Sequence, residues 1–276
     1  MYKIGFIGFG SMGSMLIKGF INSGQINQDG IIVTRKDKSR LGEIKDTWPN
    51  VEIAQEVIEV VKKAHCIFIC AKPMEYKGIL DEIKSHILPD HHIISIAGSI
   101  ELESMERIIN CKITKVMPTI ISEVNEGISL VCHNSKVTYK DADLIESLVG
   151  SIGNIRRISE KDFEFASELT SCGPGLLAAV FQEFVEAGLR HANSMKKEDI
   201  EEMVLKTAYG TAKLMLEKNM NFGDVISRVA TKGGITEEGV KVIKGVMPQV
   251  FDEMFEQTMI KRKIVSQKVC REFGSI

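Results

Sequence analysis

The strongest constraint on this chain lies at its start. Residues Gly8-Phe9-Gly10-Ser11-Met12-Gly13 follow the pattern G-x-G-x-x-G. The pattern alone is common, but here it has a context. It follows the apolar run Ile4-Gly5-Phe6-Ile7 and opens residues 11–23, where Met12, Leu16, Phe20 and Ile21 make an apolar stripe at helical spacing. A second apolar run, Ile31-Ile32-Val33, closes a strand–turn–helix–strand unit of about 30 residues. Each glycine then has a physical role. Gly8 allows the tight turn, Gly10 lets backbone approach a pyrophosphate, and Gly13 lets the helix pack close to the strand. The helix start adds free N–H groups and a positive dipole end. Gly8 to Gly13 are therefore candidate dinucleotide-binding residues.

The alternation continues. A helix is expected over 52–64, a strand over Cys66–Cys70, a helix over 75–87 and a strand over Ile93–Ala97. A helix over 101–109 and a strand over Ile113–Val116 follow, and Ile128–Val131 and Ile155–Ile158 extend the sheet around a helix over 138–149. Continuous apolar strands suit a sheet covered on both faces. The expected fold class is α/β, a doubly wound parallel sheet. From about residue 160 no strand is legible. Residues 162–193 read as helix interrupted by Gly173-Pro174-Gly175, and 196–218 as helix with Ser194 as N-cap. Helices over 221–230, 236–245 and 248–265 complete an all-helical half. With 276 residues, two domains are expected: a Rossmann domain over 1–158 and a helical domain over 159–276.

The end of the second strand selects the cofactor. An NAD-binding chain places Asp or Glu there for the ribose 2′-hydroxyl. This chain has Thr34-Arg35-Lys36, then Lys38 and Arg40, and Asp37 does not occupy the strand end. A carboxylate repels a 2′-phosphate, whereas guanidinium and ammonium groups bind it, so NADP is expected. Ala71-Lys72-Pro73 and Ala97-Gly98-Ser99 follow the third and fourth strands, where a doubly wound fold binds ligands, and could run close to a flat ring.

Other chemistry finds no support. The net charge of −2 argues against nucleic acid and anionic membrane surfaces as partners. No apolar run reaches the ~18 residues of a membrane span, and the first strand begins at once without a leader pattern, so a cytoplasmic protein is expected. The six cysteines, Cys66, Cys70, Cys111, Cys132, Cys172 and Cys270, show no metal spacing and are expected as reduced thiols. Cys66 and Cys70 read as buried small hydrophobes. The histidines, including His91-His92, have no ligand spacing. Met117, Met203 and Met215 read as core fillers. The basic cluster Lys261-Arg262-Lys263 with Lys268 and Arg271 reads as a solvated helix face. G-x-S-x-G, H-E-x-x-H and G-x-x-x-x-G-K-[ST] are absent.

Taken in order, these segments resemble the pyrroline-5-carboxylate reductase family over essentially the whole chain. The resemblance rests on Ile4–Gly13, Ile67–Pro73, Ile94–Gly98, Val116-Met117-Pro118, Gly173-Pro174 and Lys232-Gly233-Gly234-Ile235-Thr236. It implies that NADPH gives a hydride to the C=N carbon of the cyclic imine Δ1-pyrroline-5-carboxylate, with L-proline as product. It also implies a homodimer with interlocked helical domains and the site at their interface, with pentamers of dimers in many members. Met117, Pro118, Cys172, Gly173, Thr231, Gly233, Gly234 and Thr236 become candidate substrate-binding residues. Gly233-Gly234 would offer backbone N–H groups to a carboxylate. Thr236 is expected as N-cap of the next helix and as the catalytic proton donor to the ring nitrogen.

The departures from the family cluster at the substrate end. Thr119 stands where Asn is usual, and Thr170-Ser171-Cys172-Gly173-Pro174-Gly175-Leu176 replaces S-G-S-G-P-A-Y. Thr231-Lys232-Gly233-Gly234-Ile235-Thr236 replaces S-P-G-G-T-T, and Glu237 follows where an apolar residue is usual. Val57 aligns with a frequent cofactor-contacting Asn. Losing the hydroxyl at Ile235 removes a donor worth about 1–3 kcal/mol to a charged acceptor. Glu237 suits the helix dipole but places negative charge near an anion site, which Lys232 could offset. The alternative is therefore a non-catalytic or altered-substrate regulatory paralogue that keeps the nucleotide fold, similar to the late-competence branch of reductase-like proteins in some spore-forming bacteria. A β-hydroxyacid dehydrogenase is less well matched, because Leu176–Gln182 contains no lysine.

Overall fold

The computed structural model describes residues 3–274, apart from the side chain of Arg40, so that expected cation lies outside the described residues. The strands are β1 (Lys3–Ile7), β2 (Ile31–Thr34), β3 (Glu52–Ile53), β4 (Ala64–Ile69), β5 (His92–Ser95), β6 (Lys112–Met117), β7 (Gly127–His133) and β8 (Gly153–Arg157). The helices between them are α1 (Ser11–Asn22), α2 (Gly42–Thr47), α3 (Val57–Lys63), α4 (Tyr76–Ile83), α5 (Leu102–Glu106) and α6 (Tyr139–Gly150). They form one sheet in the order β3-β2-β1-β4-β5-β6-β7-β8. The chain leaves β1 toward one side for β2 and returns on the other for β4. That reversal opens a crevice at the carboxyl ends of β1 and β4, where such sheets bind ligands.

Every strand pair is parallel except β6 with β7. The reason is length: only a short loop with a 3₁₀ turn at Ile120–Val124 joins them, too little for a crossover helix. Alternate residues of the central strands feed two apolar layers. Phe6 and Phe68 face Leu16, Ile17 and Phe20 of α1. Ile7, Ile67 and Ile69 face Val60, Val61, Tyr76 and Leu80. The Phe6 and Phe68 rings stack with centroids 5.0 Å apart. Each such fully buried side chain contributes about 1.5–3 kcal/mol.

Two expected elements differ here. The helix expected over 52–64 begins at Val57, because Ile53 pairs with Val33 as a short edge strand and Glu52 bonds both Lys3 and Lys63. The short helix α2 was not anticipated.

The rest of the chain is helical: α7 (Glu160–Ser167), a π-helical turn (Glu168–Cys172), α8 (Gly173–His191), α9 (Lys197–Lys218), α10 (Phe222–Val229) and α11 (Ile235–Glu272). Gly173-Pro174-Gly175 does not break the helix. The π turn precedes it, and Pro174 sits in the first turn of α8, where a missing N–H is tolerated. The helices expected over 236–245 and 248–265 are one, running through Pro248. Ser194 is not the cap of α9; Lys196 holds that position without a side-chain bond.

The chain forms two compact units, one of residues up to Gly173 together with those from Met259 onward, the other Pro174–Thr258. In the second unit Val185 and Ile200 are the deeply buried apolar side chains among the described residues, while Phe184, Met203, Leu205, Tyr209 and Leu216 are exposed. The expectation that Met203 fills a core therefore fails for the single chain. No helix of the described residues is long and apolar enough to cross a membrane.

Candidate cofactor and substrate site

The glycine loop is shaped by crowding. Gly8 has φ +107°, donates its N–H to Thr34 O at 2.8 Å, and a Cβ there would lie 2.6 Å from Cys70 O. A Cβ on Gly13 would lie 2.5 Å from Gly8 O. Gly10 is different, because nothing lies within 4 Å of where its Cβ would be. Gly10 ends the loop in extended conformation and makes no side-chain cap to the first N–H groups of α1.

A cleft of about 850 Å³ opens above this loop. It is lined by Gly8, Phe9, Gly10, Thr34, Arg35, Lys36, Ala71 and Lys72 among the expected cofactor residues, with Val57, Glu56, Glu75 and Glu82 around them. Ser11 lines a separate groove with Lys18 and Ser122, and Met12 and Gly13 pack inward. Pro73 opens a 3₁₀ turn at the cleft's edge. Lys38 is committed to Thr34 Oγ1 at 3.2 Å and to Gln55 O. Asp37 caps a turn by accepting from Ser39 N–H at 3.2 Å, away from the strand end. Lys36 Nζ lies 3.0 Å from Glu75 Oε1, and this hydrogen bond holds the Glu75 carboxyl below its usual range.

Two residues near these strand ends carry no motif. Tyr76 is wholly buried and donates its hydroxyl to Ile69 O at the end of β4. The Tyr76 hydroxyl oxygen in turn accepts from Ile96 N–H at 3.1 Å and from the Ser95 hydroxyl at 3.2 Å at the end of β5. Burial raises the phenol's pKa, so it remains a donor. Tyr76 thereby joins the two strand ends that carry Ala71-Lys72-Pro73 and Ala97-Gly98. In the sequence it belongs only to the helix expected over 75–87. Lys115, 2% exposed, pairs with Glu160 at 2.9 Å and lies over the Phe163 ring, and Glu160 also accepts Leu102 N–H at 2.8 Å.

Ala97 is buried and Gly98 lies against Met117, since a Cβ on Gly98 would meet Met117 Cε at 2.2 Å. This brings one expected cofactor segment against the expected substrate segment Met117-Pro118. Thr119 behind it is 1% exposed, and its Oγ1 has no hydrogen-bond partner among the described residues.

Cys172 ends the π turn beside Gly173. Its thiol pKa is raised, by burial first and then by Glu168. Glu168, 2% exposed, is gripped by Arg262 through Nε at 2.7 Å and through Nη2. Arg262 is therefore the half-buried partner of a buried carboxylate rather than part of a solvated face.

In the second unit Gly233 has φ +76° and Gly234 N–H bonds Thr231 O at 2.8 Å. Gly233 N–H, expected to be free, donates to Glu237 Oε2 at 2.7 Å. The carboxylate reaches back over the helix start as in a capping box. Helix α11 begins at Ile235, so Thr236 lies in its first turn, exposed, and is not the N-cap. Among the described residues no group of three or more His, Cys, Asp or Glu is placed to hold a metal ion.

Comparison with known proteins gives this geometry a setting. Residues 3–99 match the family described as NADP oxidoreductase coenzyme F420-dependent, and residues 160–264 match pyrroline-5-carboxylate reductase dimerisation. The chain is 34% identical to pyrroline-5-carboxylate reductase 3 of Bacillus subtilis (strain 168), over 99% of this chain and 100% of that protein. It is 27% identical to ComE operon protein 4 of the same strain, over 98% and 99%. The crystal structure of Plasmodium falciparum pyrroline carboxylate reductase with NADP bound superposes with a TM-score of 0.79 at 23% identity, covering 99% of this chain and 97% of that one.

Proposed function

Since this chain belongs to the pyrroline-5-carboxylate reductase family, we propose that it is an NADPH-dependent reductase that converts Δ1-pyrroline-5-carboxylate to L-proline as a homodimer. The observation that carries the reading is the cleft above Gly8–Gly13, open at Gly10 and rimmed by Arg35 and Lys36.

The residues fit the cofactor. The open first turn of α1 suits a pyrophosphate, and Arg35 and Lys36 suit a 2′-phosphate. NADPH, when bound, supplies the hydride. Ala71-Lys72-Pro73 and Ala97-Gly98, tied together by Tyr76, back the ring. Met117 and Pro118 with Cys172 and Gly173 hold the imine. In the dimer the Thr231–Thr236 segment completes the site, with Gly233 and Gly234 facing the substrate carboxylate. The Thr236 hydroxyl donates a proton to the ring nitrogen, so the product leaves as a secondary amine.

A second reading has its own observation. Glu237 already occupies Gly233 N–H, and Ile235 lacks a hydroxyl, so the segment is poorly disposed toward a carboxylate. The altered-substrate or regulatory paralogue rests on this, and the likeness to ComE operon protein 4 agrees with it.

One experiment separates them: NADPH oxidation is followed by absorbance with pyrroline-5-carboxylate, and NADPH binding is titrated by fluorescence alongside. Turnover with proline formed supports the reductase. Tight NADPH binding without turnover moves the protein to the second reading.

A further inference from the structure

In the free chain the Lys36 ammonium is already engaged. Its Nζ is 3.0 Å from Glu75 Oε1, while Glu75 Oε2 accepts the backbone N–H of Lys72 at 3.2 Å. One carboxylate therefore bridges the loop after β2 and the loop after β4, both of which line the cleft. Asp37, Glu56 and Glu82 line the cleft too, and Glu75 pairs with a cation expected to meet a 2′-phosphate. Lys38 is held by Thr34 and Gln55, and Arg35 lines the cleft as a further cation for the phosphate.

We propose that Glu75 is a specificity-determining residue that restrains this chain's preference for NADPH over NADH. This rests on the reading of the cleft as a nicotinamide dinucleotide site. A 2′-phosphate must draw Lys36 away from Glu75, and the carboxylate competes with it for that ammonium. Lys36 is able to move, because an ammonium on a flexible stem gives up an exposed ion pair readily. NADH brings no phosphate to that place, so the Lys36–Glu75–Lys72 bridge remains made and costs it nothing. The carboxylate thus acts on the difference between the two cofactors and not on their shared parts.

The test is a fluorescence titration of the full chain with NADPH and with NADH, in wild type, Glu75→Gln, Lys36→Ala and the double variant. Glu75→Gln keeps an oxygen for Lys72 N–H and removes the charge. It should tighten NADPH about fivefold and NADH less than about twofold, from the range of exposed ion pairs. On the Lys36→Ala background the same change should alter NADPH affinity less than about twofold. Equal tightening of both cofactors, or an undiminished effect without Lys36, would overturn the proposal in favour of a general field effect. Weaker NADPH binding by Glu75→Gln would overturn it too, and would make Glu75 a brace for the Lys72 loop. A wild type that binds neither nucleotide overturns the cofactor reading and this proposal with it. Binding of both with an unmoved ratio overturns the proposal alone.

Discussion

Thr236 and Glu237 are neighbours on the first turn of α11, and their substitutions should act in opposite directions. Replacing Thr236 with Ala removes the proposed proton donor. Imine reduction should fall about 100-fold in kcat while NADPH affinity is unchanged, as steady-state kinetics and titration will show. Replacing Glu237 with Gln weakens the internal competitor for Gly233 N–H. The KM for pyrroline-5-carboxylate should fall about three- to tenfold, on the scale of one charge-assisted hydrogen bond. An unchanged KM would mean that the substrate carboxylate binds elsewhere. What was legible at this scale follows a rule. Gly8, Gly10 and Gly13 stand out because they recur at a fixed spacing within one short loop. Tyr76 and Glu75 do not, because their roles exist only when β4 and β5, or the loops after β2 and β4, come together. Arg262 is the same case: sequence shows a basic run, and only the fold shows Glu168 beneath it.

At the scale of elements, alternation of apolar runs and helical stripes was enough for seven of the eight described strands along the chain, and it missed the short edge strand β3. It was not enough for direction. The reversal at β7 depends on the length of one loop, and periodicity carries no sign of it. Glycine and proline misled where surroundings outweighed local preference, at Gly173–Gly175 and Pro248. A polar chain also crosses several elements unannounced. His92 on β5 meets Thr114 on β6 at 2.6 Å, Thr114 meets His133 on β7 at 2.8 Å, and His133 meets Glu146 on α6 at 2.7 Å. Burial, with smaller contributions from His133 and Lys112, lowers the His92 pKa from 6.5 to about 4 against the opposing pull of Asp141. Between those values the unfolded chain takes up a proton that the folded chain refuses. The stability is therefore whole above pH 6.5 and is lost as pH falls from 6.5 toward about 4. The loss is on the order of 3 kcal/mol. Denaturant unfolding across this range should show the slope in wild type and a flatter one in His92→Gln.

At the scale of the molecule, the two units differ in how they hold together. The first has two apolar layers on a sheet, with its largest side chains fully enclosed. The second has few buried apolar residues and many exposed ones, Leu216 at 83% and Phe184 at 67% among them. Apolar surface on that scale needs cover, and the match to a dimerisation family supports oligomerisation as its source. Sedimentation should therefore give a dimer or larger at micromolar concentration, with a thermal midpoint that rises with protein concentration. A stable monomer with full activity would refute this arrangement.

The first unit takes its residues from both ends of the chain: everything up to Gly173, and then the last stretch of α11, where Val269 is 2% exposed within its core. Synthesis runs in one direction. The ribosome has delivered the whole sheet long before it delivers Val269, and the helices of the second unit emerge in between. The first unit therefore lacks its last residues until the whole second unit has been made. No single cut in the gene can release its residues free of those of the second.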